Sequence, residues 1–367
     1  NMLRGNSMAN NTYNFGVLGF LNFSDYVNDV DVSNTVNGKP VYYWINRQDA
    51  AVPLDAGYVA LVNCTRITVQ NLNLTNNIQG VLLARTTNST ITKNNMTNNG
   101  DGISLEWYSK YNRISGNNIK NSGDGVLLSG SSYNSIVGNN ITANNHYGIL
   151  FFDSSNNSIY HNNFVNNTNQ TDTYNSVNVW DDGYPSGGNY WSNYNGIDSN
   201  RDGIGDTPYV ISYLTDGNIT DNYPLMGVFY SYDVSYVQPG FTVTMISNST
   251  VSDFAVGVWK EHPEIRSIIF KIRGENGLGF CRLCIPKDLM APPYAVIIDG
   301  GQTPVIYCNG TLFDNGTHRW IYFTYLHSEH EVTVLPEFPQ AASLPLFAVL
   351  TVLAVIFRKR KILDDLR

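Results

Sequence analysis

Residues 90–97 read TITKNNMT, and the phrase returns as RISGNNIK at 113–120, SIVGNNIT at 135–142 and SIYHNNFV at 158–165. RITVQNLNL at 66–74 reads as the first copy. Its leading isoleucines are Ile67, Ile91, Ile114, Ile136 and Ile159, spaced 24, 23, 22 and 23 apart. Five residues on stand Leu72, Met96, Ile119, Ile141 and Phe164, preceded by Asn71, Asn95, Asn118, Asn140 and Asn163. A third segment opens on glycine: GVLL from Gly80, GISL from Gly102, GVLL from Gly125 and GILF from Gly148. Apolar residues alternating with polar ones over so few positions are strands, too short for helices. Three short strands per turn predict a parallel β-helix. Equivalent residues then stack about 4.8 Å apart, and the apolar positions form inner ladders. Asparagine suits the bends, because it tolerates left-handed backbone and can bond to its copy in the next coil. The Leu-x-x-Leu-x-Leu consensus of leucine-rich repeats is absent.

The repeat organises the rest of the chain. RGNSMANNTYNFGV at 4–17 matches VGNNITANNHYGI at 137–149, so residue 1 is expected inside a coil, with further coils and a secretion signal upstream. Between about 18 and 60 the period fails, which predicts an excursion carrying its own aromatics. The β-helix is expected over 1–182, and an aromatic cap with an acidic loop over 183–226. Seven or eight alternating strands at 227–334 suggest an Ig-like β-sandwich. PEFPQ leads into 17 residues without a charge, 341–357, and then RKRK. That predicts a Pro-rich linker at 335–340, a C-terminal transmembrane helix and a basic cytoplasmic tail at 358–367, with the body outside the cell. The fold class is therefore all-β, with one membrane anchor.

Composition narrows the partners. The chain has 367 residues, a net charge of -8 and only 14% charged residues. No basic stripe lies outside the extreme C-terminus, so nucleic acid is not an expected partner. Asn-x-Ser/Thr sites at Asn73, Asn88, Asn166, Asn218, Asn248, Asn309 and Asn315 are candidates for glycosylation on an exposed surface, although an Asn-rich repeat also produces them by chance.

Four features carry candidate chemistry. GIDSNRDGIGD at 196–206 places oxygen ligands at alternate positions: Asp198, Asn200, Asp202, the Ile204 carbonyl and Asp206, with Gly203 at the turn. Such a loop suits Ca²⁺ as a structural cofactor. Tyr209 stands where an EF-hand needs its last glutamate, so Asp216 or Asp221 would have to complete the shell. The alternative is an ion-free Asp/Gly turn. Asp101 and Asp124, in GDG turns of adjacent coils, are the candidate catalytic pair, since polysaccharide hydrolases need two carboxyls close together. Gly-Asp-Gly is also simply a favourable turn. Trp107, Tyr108, Tyr111, Tyr133, Tyr147 and Tyr160 are candidates for stacking on a glycan. The six histidines are scattered, which weighs against copper. Cys281 and Cys284 lie in a strand, where this spacing points them to opposite faces. A disulfide to Cys308 and buried free thiols both remain open.

The repeats, NVWDDGYPSGGNYWSNYNGIDSNRDGIGDTPYVI at 178–211 and DNYPLM at 221–226 together resemble the NosD-type β-helix family, whose units are called carbohydrate-binding and sugar-hydrolase repeats. The resemblance covers roughly 1–226. It implies a right-handed parallel β-helix outside the cytoplasm, and accessory work in metalloenzyme maturation for the best-known member. The tail resembles the PEF-type sorting signals of archaeal surface proteins. The expected function is non-catalytic: binding glycans or envelope and cell partners at the cell surface, or building the envelope, with possible self-assembly. The alternatives are a polysaccharide lyase or hydrolase, and a metalloenzyme accessory protein.

Overall fold

The structure is a computed structural model. It describes residues 1–336 apart from 20–21, 213–217, 236, 238, 260–261, 304–305 and 308–312. Cys308, Asn309, Asp216, the anchor segment 341–357 and the basic tail lie outside the described residues. Among those described, no helix is long and apolar enough to cross a membrane. The one helical element named among them is a 3₁₀ turn, Phe23–Tyr26.

The repeat winds into a parallel β-solenoid with three sheets. Sheet A collects the long strands, among them Tyr58–Val62, Gln79–Ala84, Asp101–Glu106, Asp124–Ser129, Tyr147–Phe152 and Asn169–Tyr174. Sheet B runs from Gln48–Ala51 to Ser158–Tyr160, and sheet C from Asn73–Thr75 to Tyr190–Trp191. The inner ladders fill the core. Ile91, Ile114, Ile136 and Ile159 stack in sheet B, and Met96, Ile119, Ile141 and Phe164 in sheet C, all fully buried. Glycine stands second in four successive sheet A strands, at Gly80, Gly102, Gly125 and Gly148, because a side chain has no room. A Cβ at Gly102 would lie 2.2 Å from the Ile119 side chain.

Two details differ from the sequence reading. The first copy is shifted by two: Val69, not Ile67, pairs with Ile91, and Leu74 and Asn73, not Leu72 and Asn71, pair with Met96 and Asn95. Ile67 and Val69 are both inward and buried, so alternation alone could not choose between them. The stretch 18–60 also holds solenoid strands, since Lys39–Ile45 pairs with Tyr58–Val62 in sheet A and Gln48–Ala51 joins sheet B. The period is masked there because the outer face is apolar too. Tyr43, Tyr58, Ala60, Val62, Leu82 and Ala84 pack under Phe15, Tyr26, Val30 and Val36.

Buried amides tie the corners. Asn94, Asn117, Asn139, Asn162 and Asn189 form one ladder through the wall. Asn117 is typical: its Oδ1 accepts from Asn94 N and Nδ2, and its Nδ2 donates to Ile91 O and to Asn139 Oδ1. A second ladder runs Asn112–Asn134–Asn157–Asn178, and a third joins Ser122, Asn144 and Asn167.

Beyond the solenoid, two five-stranded antiparallel sheets cover residues 228–336 and share one core, including Val243, Leu283 and Phe323 from one sheet and Ile268, Val296 and Val334 from the other. Cys281 faces that core and Cys284 the opposite side, each a free thiol, with burial raising them to about 11 and about 12. The module docks on the solenoid through Asn163, whose side chain accepts from Phe229 N at 2.8 Å and donates to Phe229 O at 2.9 Å.

If the inner ladder holds the coils together, Asn117→Ala should cost about 3 kcal/mol or more, because it strands several buried polar groups. Asn95→Ala, which loses only the exposed side-chain bonds to Asn73 and Asn118, should cost under about 1 kcal/mol. Urea denaturation of both variants checks this.

Candidate functional site

The segment from Phe15 to Val36 covers the outer face of the first sheet A strands, and the later strands lie beyond it. The loop that leaves the sheet at each coil has a recurring left-handed position. Asn88, Tyr111, Tyr133 and Asn156 occupy it in successive coils, with φ of 52°, 60°, 62° and 60°. Asparagine adopts this conformation readily, whereas a bulky side chain pays about 1–2 kcal/mol. Trp107 and Tyr108 are also left-handed, at φ of 50° and 63°. Four aromatics in two adjacent coils thus hold a backbone that disfavours them.

Their rings line one edge of the solenoid. Tyr108, Tyr111 and Tyr133 are 67%, 54% and 52% exposed, and the Tyr111 and Tyr133 rings are 5.7 Å apart. Lys110 lies over Tyr111. Phe152 and Tyr174, paired across the next two strands with rings 5.9 Å apart, continue the edge. The sequence reading named neither, although their 22-residue spacing is the period itself. Trp107 packs half-buried against the covering segment. Tyr147 is elsewhere, at the start of its strand, with its ring on His146. Tyr160 is half-buried next to His161.

The carboxyls form a second feature on the same face. Asp101 and Asp124 are direct partners in register, with Gln79 before them. Burial, then the Asp124 and Glu106 charges, push Asp101 up to about 8. Burial takes Glu106 to about 7, against hydrogen bonds from Ser104 and Ser129. Burial also raises Asp124, opposed by the Tyr147 amide at 3.0 Å and by His146, whose Nδ1 is 3.1 Å away. A protonated Asp101 beside a less perturbed Asp124 is an acid and base pair in kind. The pair begins the strand and the aromatic edge follows its end, five residues or about 17 Å along the backbone. Glu106 bridges part of that gap, leaning back to accept from Ser104 Oγ at 2.8 Å.

The acidic loop closes on itself. Asp198 accepts from the amides of Asp202 and Gly203, at 3.0 and 2.8 Å. Asp202 accepts from the Ile204 amide, Asn200 and the Tyr184 hydroxyl. Asp206 accepts from Ser199 N. Asp221 is not near this shell. It is buried under the last coil, accepting from Asn189 N at 2.7 Å, Trp191 Nε1 at 2.9 Å and Tyr223 N at 3.1 Å, with burial raising it to about 7. Among the described residues, no three His, Cys, Asp or Glu side chains gather as a metal-binding group. Asn73, Asn88, Asn166, Asn218 and Asn315 are exposed; Asn248 is exposed but bonds the backbone of Leu278 and Phe280.

A family model described as "Periplasmic copper-binding protein (NosD)" matches residues 1–196. No curated protein matches. Among solved structures, a mutant of the periplasmic alginate epimerase AlgG is 22% identical, with a TM-score of 0.31, over 40% of this chain and 33% of that one. The Dettilon tailspike protein is 13% identical, with a TM-score of 0.27, over 77% and 59%. A tailspike protein of Acinetobacter baumannii bacteriophage Fri1, a capsular polysaccharide depolymerase, is 10% identical, with a TM-score of 0.23, over 82% and 71%. The chain spans about a third of the length of the epimerase.

Asp101, Glu106 and Asp221 all bind protons more tightly folded than unfolded, where carboxyls titrate near 4. Their contribution is complete below that range and is lost as pH rises through about 7 to 8. Stability should therefore fall between pH 5 and pH 9. Asp101→Asn should flatten the profile and be the more stable protein at pH 9. Thermal midpoints across that range decide it; an unchanged slope would mean Asp101 is not held protonated.

Proposed function

The chain belongs to the NosD family, and we propose that it is a non-catalytic cell-surface protein that binds polysaccharide along the aromatic edge of its solenoid. The observation that carries this is backbone strain spent on exposed rings. Tyr111 and Tyr133 take a left-handed position that Asn88 and Asn156 fill in the flanking coils, and Tyr108 is left-handed as well. Asparagine fills such a position at lower cost than tyrosine does. Rings repeated about every 4.8 Å along the axis suit an extended chain of sugars, each stacking on one aromatic. Ser129 and Glu106 beside them supply hydrogen-bonding groups.

In this reading the Ig-like sandwich stands between the solenoid and a C-terminal anchor at 341–357, with the body outside the cell. Envelope proteins are the second class of partner. Nucleic acid is not expected, given the net charge of -8.

The described residues do not fit the copper of the family's description. His161 is buried, stacked on Phe229 with ring centroids 4.2 Å apart, and burial lowers it to about 4. Cys281 and Cys284 stay protonated and point to opposite sides. No copper step is assigned. For the Asp198–Asp206 loop we propose a structural Ca²⁺, supported by its all-oxygen donors and its place in the cap.

A second reading, a polysaccharide-cleaving enzyme, has one observation in its favour: the stacked Asp101 and Asp124 with unequal environments.

Tyr111→Asn with Tyr133→Asn should raise stability by about 1 kcal/mol or more, by relieving strain, and should weaken polysaccharide binding at least tenfold. Affinity electrophoresis and urea denaturation read the two effects. Equal affinity in the double variant would sink the edge as a binding site. EDTA should lower the thermal midpoint by several degrees, restored by Ca²⁺; no change would leave the loop held by its hydrogen bonds alone.

A further inference from the structure

The inner ladders of sheet A change character in their last coil. Ile103, Val126 and Ile149 are followed by Thr171, and Leu105, Leu128 and Phe151 by Thr173. The apolar core therefore stops one coil before the sheet does. Trp180 covers Phe151, and Trp191 covers Phe164, with Tyr209 stacked on Trp191. Beside this aromatic plug a cavity of about 460 Å³ is left between the last coil and the cap.

The lining is unusual for an end cap. It contains amides from Asn166, Asn169, Gln170 and Asn193, hydroxyls from Thr168 and Ser192, and one wall made by Tyr209 and Ile211. No acid or base is among the described lining residues. Thr171, also on the wall, has a hydroxyl without a protein hydrogen-bond partner. That oxygen is itself closed off from solvent, at the inward position of the ladder. Several amides are held in place: Gln170 Nε2 donates to Ser192 Oγ at 3.0 Å, and the Tyr209 hydroxyl donates to Asn193 Oδ1 at 3.2 Å.

We infer that this cavity is a second saccharide site, taking one uncharged pyranose. The inference rests on the glycan-binding reading and adds a site to it, separate from the aromatic edge. Amides offer donors and acceptors together, which is what a ring of hydroxyls needs. The apolar wall suits the C–H face of the sugar. Among the described lining residues an anionic sugar finds no cation, and a cation finds no carboxylate. The volume lies within the range of small-ligand sites.

The test is ligand-observed NMR and calorimetry of the full chain with uncharged methyl glycosides: glucoside, mannoside, galactoside and N-acetylglucosaminide. Glucuronic acid is the charged comparator. At least one neutral glycoside should bind saturably at millimolar concentration or below. Asn169→Leu with Asn193→Leu, which fills the cavity, should weaken it at least tenfold, and Tyr111→Asn with Tyr133→Asn should leave it unchanged. Equal binding in the leucine variant, with an unchanged thermal midpoint, would overturn the site. So would tighter binding of glucuronic acid than of the neutral glycosides. Polysaccharide binding that persists while no monosaccharide binds would overturn the cavity site and leave the edge standing. Monosaccharide binding without polysaccharide binding would do the reverse.

Discussion

Everything in the solenoid depends on satisfying the amides that its corners bury. A parallel coil turns three times per lap, and each turn takes backbone groups out of the strand ladders and out of water. Asparagine answers this with one acceptor and two donor hydrogens in a short side chain. Asn117 accepts twice from the coil before it and donates both backward and forward. The chain of bonds has a direction, so its end poses a problem. Asn189 has a backbone N–H and an amide to place where no further rung exists. Asp221 receives the backbone N–H at 2.7 Å, together with the Trp191 indole. The cap is thus fixed by hydrogen-bond arithmetic as well as by its aromatic rings.

The same regularity makes departures readable. A position that recurs in every coil with the same left-handed backbone is a built-in control. Asn88 and Asn156 hold it in two coils, Arg66 in another, and Tyr111 and Tyr133 in the two between Asn88 and Asn156. The end of the sheet A ladders works the same way. Thr171 and Thr173 stand where aliphatic and aromatic residues stand in earlier coils. In both places the fold gives up local stability, and in both an exposed ring or a polar cavity results.

Much of this was legible in the sequence. The repeat at 91–164 specifies period, strands and inner ladders without ambiguity, because one apolar residue stands between polar ones in each short strand. The first copy misleads, since Ile67 and Val69 both point inward. The stretch 18–60 hides its strands, because a segment folded over the outer face removes the polar half of the alternation. Tyr108 and Tyr133 could be named as aromatics in turns, but their strained backbone could not be read. Phe152 and Tyr174 fall outside the repeat phrases and were not named. Asp221 was read as a possible ion ligand, because nothing in the chain marks it as the last acceptor of a ladder that starts more than a hundred residues earlier. The cavity was invisible: lost periodicity at 169–174 reads only as the repeat ending.

The central claim is that this solenoid binds polysaccharide without cleaving it. The most direct measurement is a glycan-array screen of the full chain, with reducing ends assayed in the same wells. The account predicts retention on one or more polysaccharides with no release of reducing ends, and the same behaviour in Asp101→Asn and Asp124→Asn. Released ends that disappear in either of those variants would contradict it and make the stacked carboxyls an active site.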